Sequence, residues 1–417
     1  MIAVLAIVVT PFAAFAENET IGGTLEKIDD DAREPVAGVT ITVELDGEVI
    51  GTAVSDDGGV WEVPVPGPGA YLVRLEVDTL PEGVALTDPD RFELPGLSVR
   101  ENQNKTARFN LGPGLAAASS SVAVRLLELF VIGLKLGAII AMASIGLSLI
   151  FGVTGLVNFA HGEMVTIGAV VAYFFHLSPL GPEWPLLVAA IPAVLFSAGF
   201  GWVNEAGLWR PLRRRRVGLI AMLVISIGLS FAVRNVINIL FSGEPRTYGD
   251  YAVQTPIKVL GIQTVPKNIV IIVFTVVVLV GVGVFLQRTK TGTAMRAVAD
   301  NKDLAESSGI DVERVIMVTW VVGAALAGLG GILQGTSETV QWDMGFKLLL
   351  LIFAAVVLGG LGTAFGAMVG AFIVGVTVEM STFWIEPDLK NAVALGVLVL
   401  MLLVRPQGIL GTRERVG

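Results

Sequence analysis

The chain has 417 residues, 53% of them hydrophobic and only 16% charged, and its mean hydropathy is +0.75. Soluble domains carry about 25% charged residues, so the composition predicts lipid as the main solvent, and the absence of cysteine excludes disulfides and thiolate metal sites. Residues 17–112 contain 20 acidic and 7 basic residues against 17 and 21 in the rest, which indicates two domains in two environments.

An apolar segment opens the chain. Residues 1–16 end in Ala14-Phe15-Ala16, the small-residue pattern of a signal peptidase site. The segment is shorter than the roughly 20 apolar residues that a spanning helix needs. We therefore interpret residues 1–16 as a signal peptide; a retained anchor is the alternative, because no basic residue precedes the apolar run.

Residues 17–112 are predicted to form an extracytoplasmic all-β sandwich. Residues 39–45 and 70–77 alternate between apolar and polar positions with the period of a half-buried strand. Short strands separated by Gly, Asp and Pro turns favour an antiparallel sandwich. The stretch GVTITVELDG…GTAVSDDGGVWEVPVPGPGAYLVRLEV resembles carboxypeptidase-regulatory-like domains. Residues 113–125 are interpreted as a linker.

Two acidic clusters of this domain offer oxygen ligands that a calcium ion could use. They are Asp29-Asp30-Asp31 and Asp56-Asp57. Acidic residues are also common in turns, where their side chains bond to nearby backbone. We interpret both clusters as solvated turns and expect no metal site in the chain.

Residues 126–417 are predicted to form an all-α polytopic membrane domain of about eight or nine spans. The regions near 157–177 and 348–380 are rich in glycine or polar residues, so either could be broken or re-entrant. The predicted spans lie near 126–150, 157–177, 186–204, 218–241, 268–287, 315–335, 348–361, 363–380 and 389–404.

Basic residues set the predicted orientation. Three segments are rich in Lys and Arg, namely 210–216, 288–314 and 405–415, and the positive-inside rule assigns all three to the cytoplasm. Counting spans back from Arg210 leaves the β domain outside, as a signal peptide also requires. The arginine cluster is interpreted as a topology anchor that can contact anionic lipid, and not as a nucleic-acid site.

Polar residues interrupt the apolar sequence at three places. Asn158, His161, Gly162 and Glu163 are candidates for the lining or gate of a pathway, with a capped cytoplasmic turn as the alternative. Residues 294–307 predict an amphipathic helix, ended by Ser308-Gly309, that could dock on a partner or lie on lipid. Close helix packing is predicted at small residues spaced along one segment: Gly359, Gly360, Gly362, Gly366 and Gly370.

No motif for catalysis is found. The sequence has no nucleophile elbow, no HExxH metal motif and no GxxxxGK[ST] phosphate-binding loop. We therefore predict no catalytic residue and no ATP hydrolysis through that loop, so that energy would come from a partner or an ion gradient.

Several runs resemble one family in the same order along the chain. These are GLSLIFGVTGLVNFAHGEMVTIGA, GTAMRAVADNKDLAESSGIDVERVIMVTWVVGAALAGLGGIL, AAVVLGGLGTAFGAMVGAFIVG and LLVRPQGILG. Residues 126–411 thereby resemble permeases of the branched-chain amino acid (LIV-type) ABC transporters. The additional β domain departs from the usual permease, which begins close to its first span.

The resemblance implies a set of partners and a mechanism. A second permease, two cytoplasmic ATPase subunits and an extracytoplasmic substrate-binding protein would assemble with this chain. ATP and Mg²⁺ would be bound by the ATPase subunits, and this chain would hold no cofactor. Transport would proceed by alternating access, without covalent chemistry. The ATPase subunits would dock on a coupling loop, residues 289–314, around Arg296, Ala297, Asp300, Ala305 and Gly309.

Other functions remain open at this stage. Similar permeases serve urea or short amides, which are the alternative substrates. An ion-coupled secondary transporter would need no partner and would place acidic residues within the membrane. A surface receptor would need only one span, and a membrane enzyme would need a reactive cluster that the sequence does not contain.

Overall fold

The computed structural model describes residues 19–29, 32–45, 47–86, 92–99, 105–107, 109, 111–113, 122–178, 181–241, 245–252, 254, 257–259, 262–386, 389–405 and 407–411. The chain divides into two compact units, Met1–Ser120 and Ser121–Gly417. The predicted signal peptide, Asp30 and Asp31, and most of the predicted linker lie outside the described residues.

The first unit is built of short strands around an apolar core. Alternate residues of its strands are buried, as Trp61, Val63 and Val65 are in one strand. The described strands are β1 (Glu19–Thr24), β2 (Glu26–Asp29), β3 (Ala32–Pro35), β4 (Thr40–Leu45), β5 (Glu48–Val54), β6 (Val60–Val65), β7 (Gly69–Leu75), β8 (Val84–Leu86), β9 (Glu93–Val99), β10 (Lys105–Thr106) and β11 (Leu111–Pro113).

Three sheets form in this unit, with strand orders β10-β1-β6, β3-β2-β11-β8 and β5-β4-β7-β9. Among the described strands of this unit, the antiparallel arrangement predicted from the sequence holds for every pair except β1–β10 and β2–β11, which are parallel. Ile21 pairs with Lys105 and Lys27 with Leu111, the same offset in both cases. Strands β10 and β11 therefore run parallel to β1 and β2, respectively, and keep the same spacing along the chain from them.

An acidic residue closes the turn between β5 and β6. Asp56 Oδ1 accepts the backbone N–H groups of Gly58, at 2.9 Å, and Val60, at 2.8 Å. This geometry is an Asx turn, in which the carboxylate holds the backbone of its own loop.

The second unit is helical. Its described helices are α1 (Val122–Thr154), α2 (His161–Leu177), α3 (Leu186–Asn204), α4 (Arg210–Arg214), α5 (Leu219–Phe241), α6 (Gly249–Ala252), α7 (Pro266–Arg288), α8 (Lys290–Asp300), α9 (Lys302–Ser307), α10 (Val312–Ser337), α11 (Met344–Gly359), α12 (Ala364–Ser381) and α13 (Lys390–Val404). A π-helical turn, Glu205–Trp209, joins α3 to α4. A short hairpin of β12 (Ile257–Val259) and β13 (Ile262–Thr264) precedes α7.

Within the described residues, six helices are long and apolar enough to cross a membrane: α1, α3 with its continuation to Arg214, α5, α7, α10 and α12. The apolar helices α11 and α13 have only 16 and 15 residues, and α2 has 17. A span of the hydrocarbon core takes roughly 20 residues. The segments that the sequence marks as possibly broken are thus short, and each adjoins a non-helical stretch at 155–160 or 360–363.

Helix α1 occupies the centre of the bundle. In the most apolar stretch of α1, 89% of the residues are buried, compared with 22% in that of α7 and 28% in that of α5. Neighbouring helices reach it through glycines. A Cβ on Gly146 would lie 2.5 Å from the Gly323 carbonyl oxygen of α10, and one on Gly137 would lie 2.8 Å from the Phe372 Cα of α12. Such contacts are the means by which helices pack tightly where no hydrophobic force drives them together.

The glycines at 359–370 lie where α11 turns into α12. A Cβ on Gly366 would collide with the Gly359 carbonyl oxygen, and one on Gly370 would collide with that of Ala355. Gly362 instead lies against Gly152 at the end of α1. At Gly366 and Gly370 backbone packs against backbone, and a side chain has no room there.

Residues 407–411 complete this corner. The backbone N–H of Ile409 donates to the Leu358 carbonyl at 2.8 Å, and that of Leu410 donates to the Gly359 carbonyl at 2.9 Å. Both acceptors belong to the last turn of α11, where carbonyl groups have no donors within the helix. Gly360 lies against Gly411 in the same contact, which leaves no space for a Cβ.

We expect Gly366→Val to destabilise the membrane unit, because its side chain would meet the fixed backbone of Gly359. Overpacking of this kind costs about 1–3 kcal/mol. Thermal unfolding of the detergent-solubilised chain should show a midpoint lowered by several degrees. The control is Gly281→Val in α7, where nothing lies within 4 Å of an added Cβ. Equal midpoints for the two variants would contradict the packing described.

Candidate functional site

A helix break lies inside the membrane unit, between α1 and α2. Helix α1 ends at Thr154, and α2 begins at His161 against Ala143, whose carbonyl oxygen is 2.9 Å from His161 Nε2. Ala143 is roughly 16 Å from the end of α1 at 1.5 Å per residue. The first turn of α2 therefore lies deep in the bundle.

The backbone between the two helices is enclosed by protein. Gly155 adopts a left-handed conformation, with φ of +70°, that lets the chain turn back after α1. Leu156, Asn158 and Ala160 are buried. Irregular backbone at membrane depth is tolerated when it is buried in protein or lines a cavity, and here neighbouring helices supply the cover.

The four residues that the sequence marks as a pathway lining or gate are all buried at this break, and they face different partners. Asn158 Oδ1 accepts the Ala160 N–H at 3.0 Å, and His161 contacts α1. Gly162 lies against Gly345 of α11, so closely that an added Cβ would be 2.6 Å from the Gly345 carbonyl oxygen. Glu163 turns towards α5.

Glu163 forms an ion pair with Arg234 inside the membrane unit. Glu163 Oε1 accepts from Ser230 Oγ at 2.8 Å and from Arg234 Nε at 3.2 Å, and Arg234 Nη2 donates to Ser230 Oγ at 3.0 Å. The guanidinium carbon lies 3.8 Å from the ring centroid of Phe346, in the first turn of α11. One cluster therefore joins α2, α5 and α11 through charge, hydrogen bonds and a cation–π contact.

Both charged side chains of this pair are withdrawn from solvent, with 9% of the Arg234 side chain and none of the Glu163 side chain exposed. Taking two charges out of water is costly, and ionisable groups at membrane depth usually mark a pathway or a switch. Within the described part of the chain, Glu163 Oε2, Asn158 Nδ2 and His161 Nδ1 are buried without a hydrogen-bond partner. The cluster retains hydrogen-bonding capacity that this conformation does not use.

Helix α5 contributes residues that the sequence analysis missed. Ser226, Ser230 and Arg234 follow one another at intervals of four, so they lie on one face of the helix. Ser226 Oγ accepts the Phe159 N–H at 3.1 Å, which fixes the end of the break. The sequence contains a signal for this contribution. Arg234 is the only charged residue of α5, and a charge in an apolar span indicates function.

The predicted coupling loop lies beside the C-terminal end of α1, where Ala299 of α8 contacts Gly152. The single helix expected at residues 294–307 is instead two, because Asn301 is extended and its side chain caps α9 by accepting the Leu304 N–H at 2.9 Å. Thr289 caps α8 and Asp311 caps α10 in the same manner. The loop is therefore a series of short helices with capped N-termini.

The five predicted coupling residues differ in exposure. Arg296, Asp300 and Gly309 are exposed, Ala297 is half-buried, and Ala305 is buried against the bundle. The turn after α9 depends on Gly309, whose φ of +86° favours glycine. Met295 and Val298 form the inner face of α8. Helix α8 thus exposes polar residues and packs apolar residues against the bundle.

Ion pairs connect this region to the end of α3. Arg210 Nε lies 2.8 Å from Glu313 Oε2 in the first turn of α10. Arg213 binds the fully buried carboxylate of Glu205 in the π-helical turn through two hydrogen bonds. Arg210 of the predicted topology anchor therefore joins the end of α3 to α10, and Arg213 bonds within the helical segment that continues α3. Among the described residues, no group of three or more His, Asp or Glu side chains is arranged to hold a metal ion.

Comparisons with known proteins agree on one family. The family described as branched-chain amino acid transport system / permease component matches residues 129–402. The chain is 32% identical over 293 residues to a permease of Salmonella typhimurium named high-affinity branched-chain amino acid transport system permease protein LivH, covering 68% of this chain and 94% of the relative. The chain belongs to the branched-chain amino acid transport permease family.

Further relatives extend this result. BraD of Pseudomonas aeruginosa, also named a branched-chain amino acid transport system permease protein, is 32% identical over 69% of this chain and 96% of its own length. LivM of Escherichia coli is 26% identical over 89% of this chain and 90% of its own. A solved chain titled PsaBC from Streptococcus pneumoniae in complex with Fab has 12% identity and a TM-score of 0.39, covering 66% of this chain and 91% of that chain.

These results establish a multi-pass membrane permease component preceded by a β domain. The family match spans the helix break, the buried ion pair and the two capped helices between α7 and α10. It ends before residues 407–411, although these bond to α11.

We expect Glu163 and Arg234 to be strongly coupled in stability. Removing one partner of a buried pair costs about 3–5 kcal/mol, because the other charge stays buried. Glu163→Gln and Arg234→Gln should each lower the thermal unfolding midpoint, and the double variant should recover much of the loss. The control is the pair of Asp343 and Lys347, 3.0 Å apart, whose lysine side chain is 60% exposed, so that coupling should be smaller. Additive effects at Glu163 and Arg234 would contradict the pairing.

Proposed function

We propose that the chain is a permease subunit of an ABC importer that moves branched-chain amino acids across the cytoplasmic membrane by alternating access. The observation that carries the proposal is the pair of capped helices α8 and α9, which present an exposed polar face between two helices long enough to span. A surface of this form suits docking of a partner that supplies energy.

The proposed orientation has all basic segments in the cytoplasm. Gly152, at the end of α1, lies against both Ala299 of α8 and Gly362, and Gly360 lies against Gly411. The Arg210–Glu313 ion pair joins the start of α10 to the end of α3. The basic segments therefore gather at one end of the bundle, which supports a cytoplasmic assignment for that end and an outer location for the β domain.

The partners of the proposed assembly follow from its class. A second permease subunit would complete the translocation pathway, two cytoplasmic ATPase subunits would bind ATP and Mg²⁺, and an extracytoplasmic binding protein would deliver substrate. The names of the relatives, all branched-chain amino acid transport permeases, support this substrate class over urea or short amides.

The helix break is the proposed gate. The first turn of α2 contacts α5 and α11 through Glu163, Arg234 and Phe346. Buried polar atoms at the break have no hydrogen-bond partner among the described residues. A second arrangement of these groups would let α2 move relative to α5 as the pathway opens. We expect Glu163→Gln to change uptake without changing subunit assembly. Uptake equal to that of the native chain would contradict a gating role.

The decisive experiment is recovery of the membrane-extracted chain with everything bound to it, identified by mass spectrometry. Recovery of two ATPase subunits, a second permease and a binding protein is expected, and ATP-driven uptake of leucine by vesicles containing that complex should follow. Uptake of urea and not leucine would exclude the proposed substrate. A chain that is stable and transports alone would favour an ion-coupled secondary transporter instead.

A charge reversal tests the coupling surface. Arg296→Glu lies on the exposed face of α8 and should abolish co-purification of the ATPase subunits, with uptake falling accordingly. Fold stability should be retained, because the side chain is exposed and such changes usually stay within about 0.5 kcal/mol. Arg405→Glu, an exposed arginine beyond α13, is the matched control and should retain the ATPase subunits. Equal ATPase recovery from both variants would remove the role assigned to α8.

A further inference from the structure

A cavity of about 190 Å³ lies at the opposite end of the bundle from α8 and α9. It is lined by the last turn of α10, the start of α11, the first turn of α13, and α1 near Leu136, and it opens to the outside. Because α8 and α9 precede α10, and the cavity adjoins the far end of α10, the two features are separated by the length of that helix. In the proposed orientation the cavity faces the extracytoplasmic side.

The walls of this cavity combine two kinds of surface. Leu136, Met344, Leu348 and Leu351 provide an apolar base. The polar wall and mouth consist of Gln334, Glu338, Gln341, Lys347, Lys390 and Asn391. A site of apolar surface with a few convergent polar groups is the general form of a small-molecule pocket.

One polar group of the wall is buried and unused. Gln334 is only 7% exposed, and its Oε1 has no hydrogen-bond partner within the described residues. Leaving a buried polar atom unsatisfied costs about 1–3 kcal/mol. A ligand that donates a hydrogen bond in the cavity would remove that cost.

Lys390, at the mouth of the cavity, is close to two carboxylates but not in hydrogen-bond contact with either. Lys390 Nζ lies 3.9 Å from Glu338 Oε1 and 3.9 Å from Glu379 Oε1, longer than the usual 2.7–3.2 Å of a hydrogen bond. Lys347 is held by Asp343 Oδ2 at 3.0 Å and Gln341 Oε1 at 3.1 Å. A ligand with one group of each sign could replace the loose pairs with short ones, its carboxylate on Lys390 and its ammonium on Glu338.

We propose that this cavity is an extracytoplasmic receiving site for a free zwitterionic amino acid with a short aliphatic side chain. The ligand's side chain occupies the apolar base, its ammonium donates to Glu338 and Gln334 Oε1, and its carboxylate accepts from Lys390. The volume is adequate, because a cavity of about 150 Å³ holds benzene. The assignment rests on the proposed function, which supplies the class of substrate, and it adds the place at which substrate enters this subunit.

The test uses the absence of native cysteine, which makes one introduced thiol a specific reporter. Asn391→Cys places it at the cavity, and the control Glu386→Cys places it in the exposed segment before α13. Each variant is assembled with its partner subunits in lipid nanodiscs and labelled with a membrane-impermeant maleimide. The probes are L-leucine and, for comparison, urea.

L-leucine should slow labelling of N391C about tenfold at roughly ten times its dissociation constant, while E386C labelling and the effect of urea stay unchanged. Gln334→Leu, combined with N391C, should weaken this protection while leaving the rate without leucine unaltered. As a second reporter, Thr339→Cys on the same wall should behave like N391C and keeps the test decisive if that variant fails to assemble.

The outcomes separate this proposal from the proposed function. If the complex takes up leucine but leucine protects neither cavity reporter, the receiving site is overturned and the importer assignment stands. Protection by urea and not by leucine overturns the zwitterionic ligand. A complex that binds leucine at the reporters but transports none would support the site and contradict the importer.

Discussion

The hydrocarbon core offers the backbone no hydrogen-bonding solvent, so the break between α1 and α2 can exist only where protein encloses it. The enclosure depends on α1, which is buried at the centre of the bundle and is approached at glycines by α10 and α12. It also depends on α5 and α11, whose polar and small residues meet the first turn of α2. Peripheral helices such as α7 need no such fit, and their outward faces are apolar.

The sequence predicts the features that local composition determines, and it does not reveal those that depend on long-range contacts. Apolar length identifies helices such as α7, because lipid selects for it without regard to neighbours. Alternation identifies β4 and β7 for a similar local reason. The parallel pairing of β1 with β10 joins segments more than eighty residues apart, and nothing in the local pattern of either strand specifies its partner.

The same distinction applies to the candidate site: the sequence shows its residue types but not the contacts between its helices. The sequence marks Asn158, His161, Gly162 and Glu163 because polar residues are costly in an apolar region. It does not reveal that Glu163 meets Arg234, since that pairing depends on how α2 and α5 pack. The division of the coupling helix at Asn301 was also missed, because an asparagine is compatible with a helix interior and with a cap until the neighbouring backbone chooses.

The contact between residues 407–411 and α11 makes this segment, which follows the last apolar helix, part of the interior of the bundle. Two carbonyl groups of α11 lose their donors if these residues are removed, although no span would be shortened. A fusion partner or affinity handle therefore has to leave residues 407–411 in place. Trimming to the end of the last apolar helix, a natural choice from hydropathy alone, would instead open the corner at which α11, α12 and the end of α1 meet.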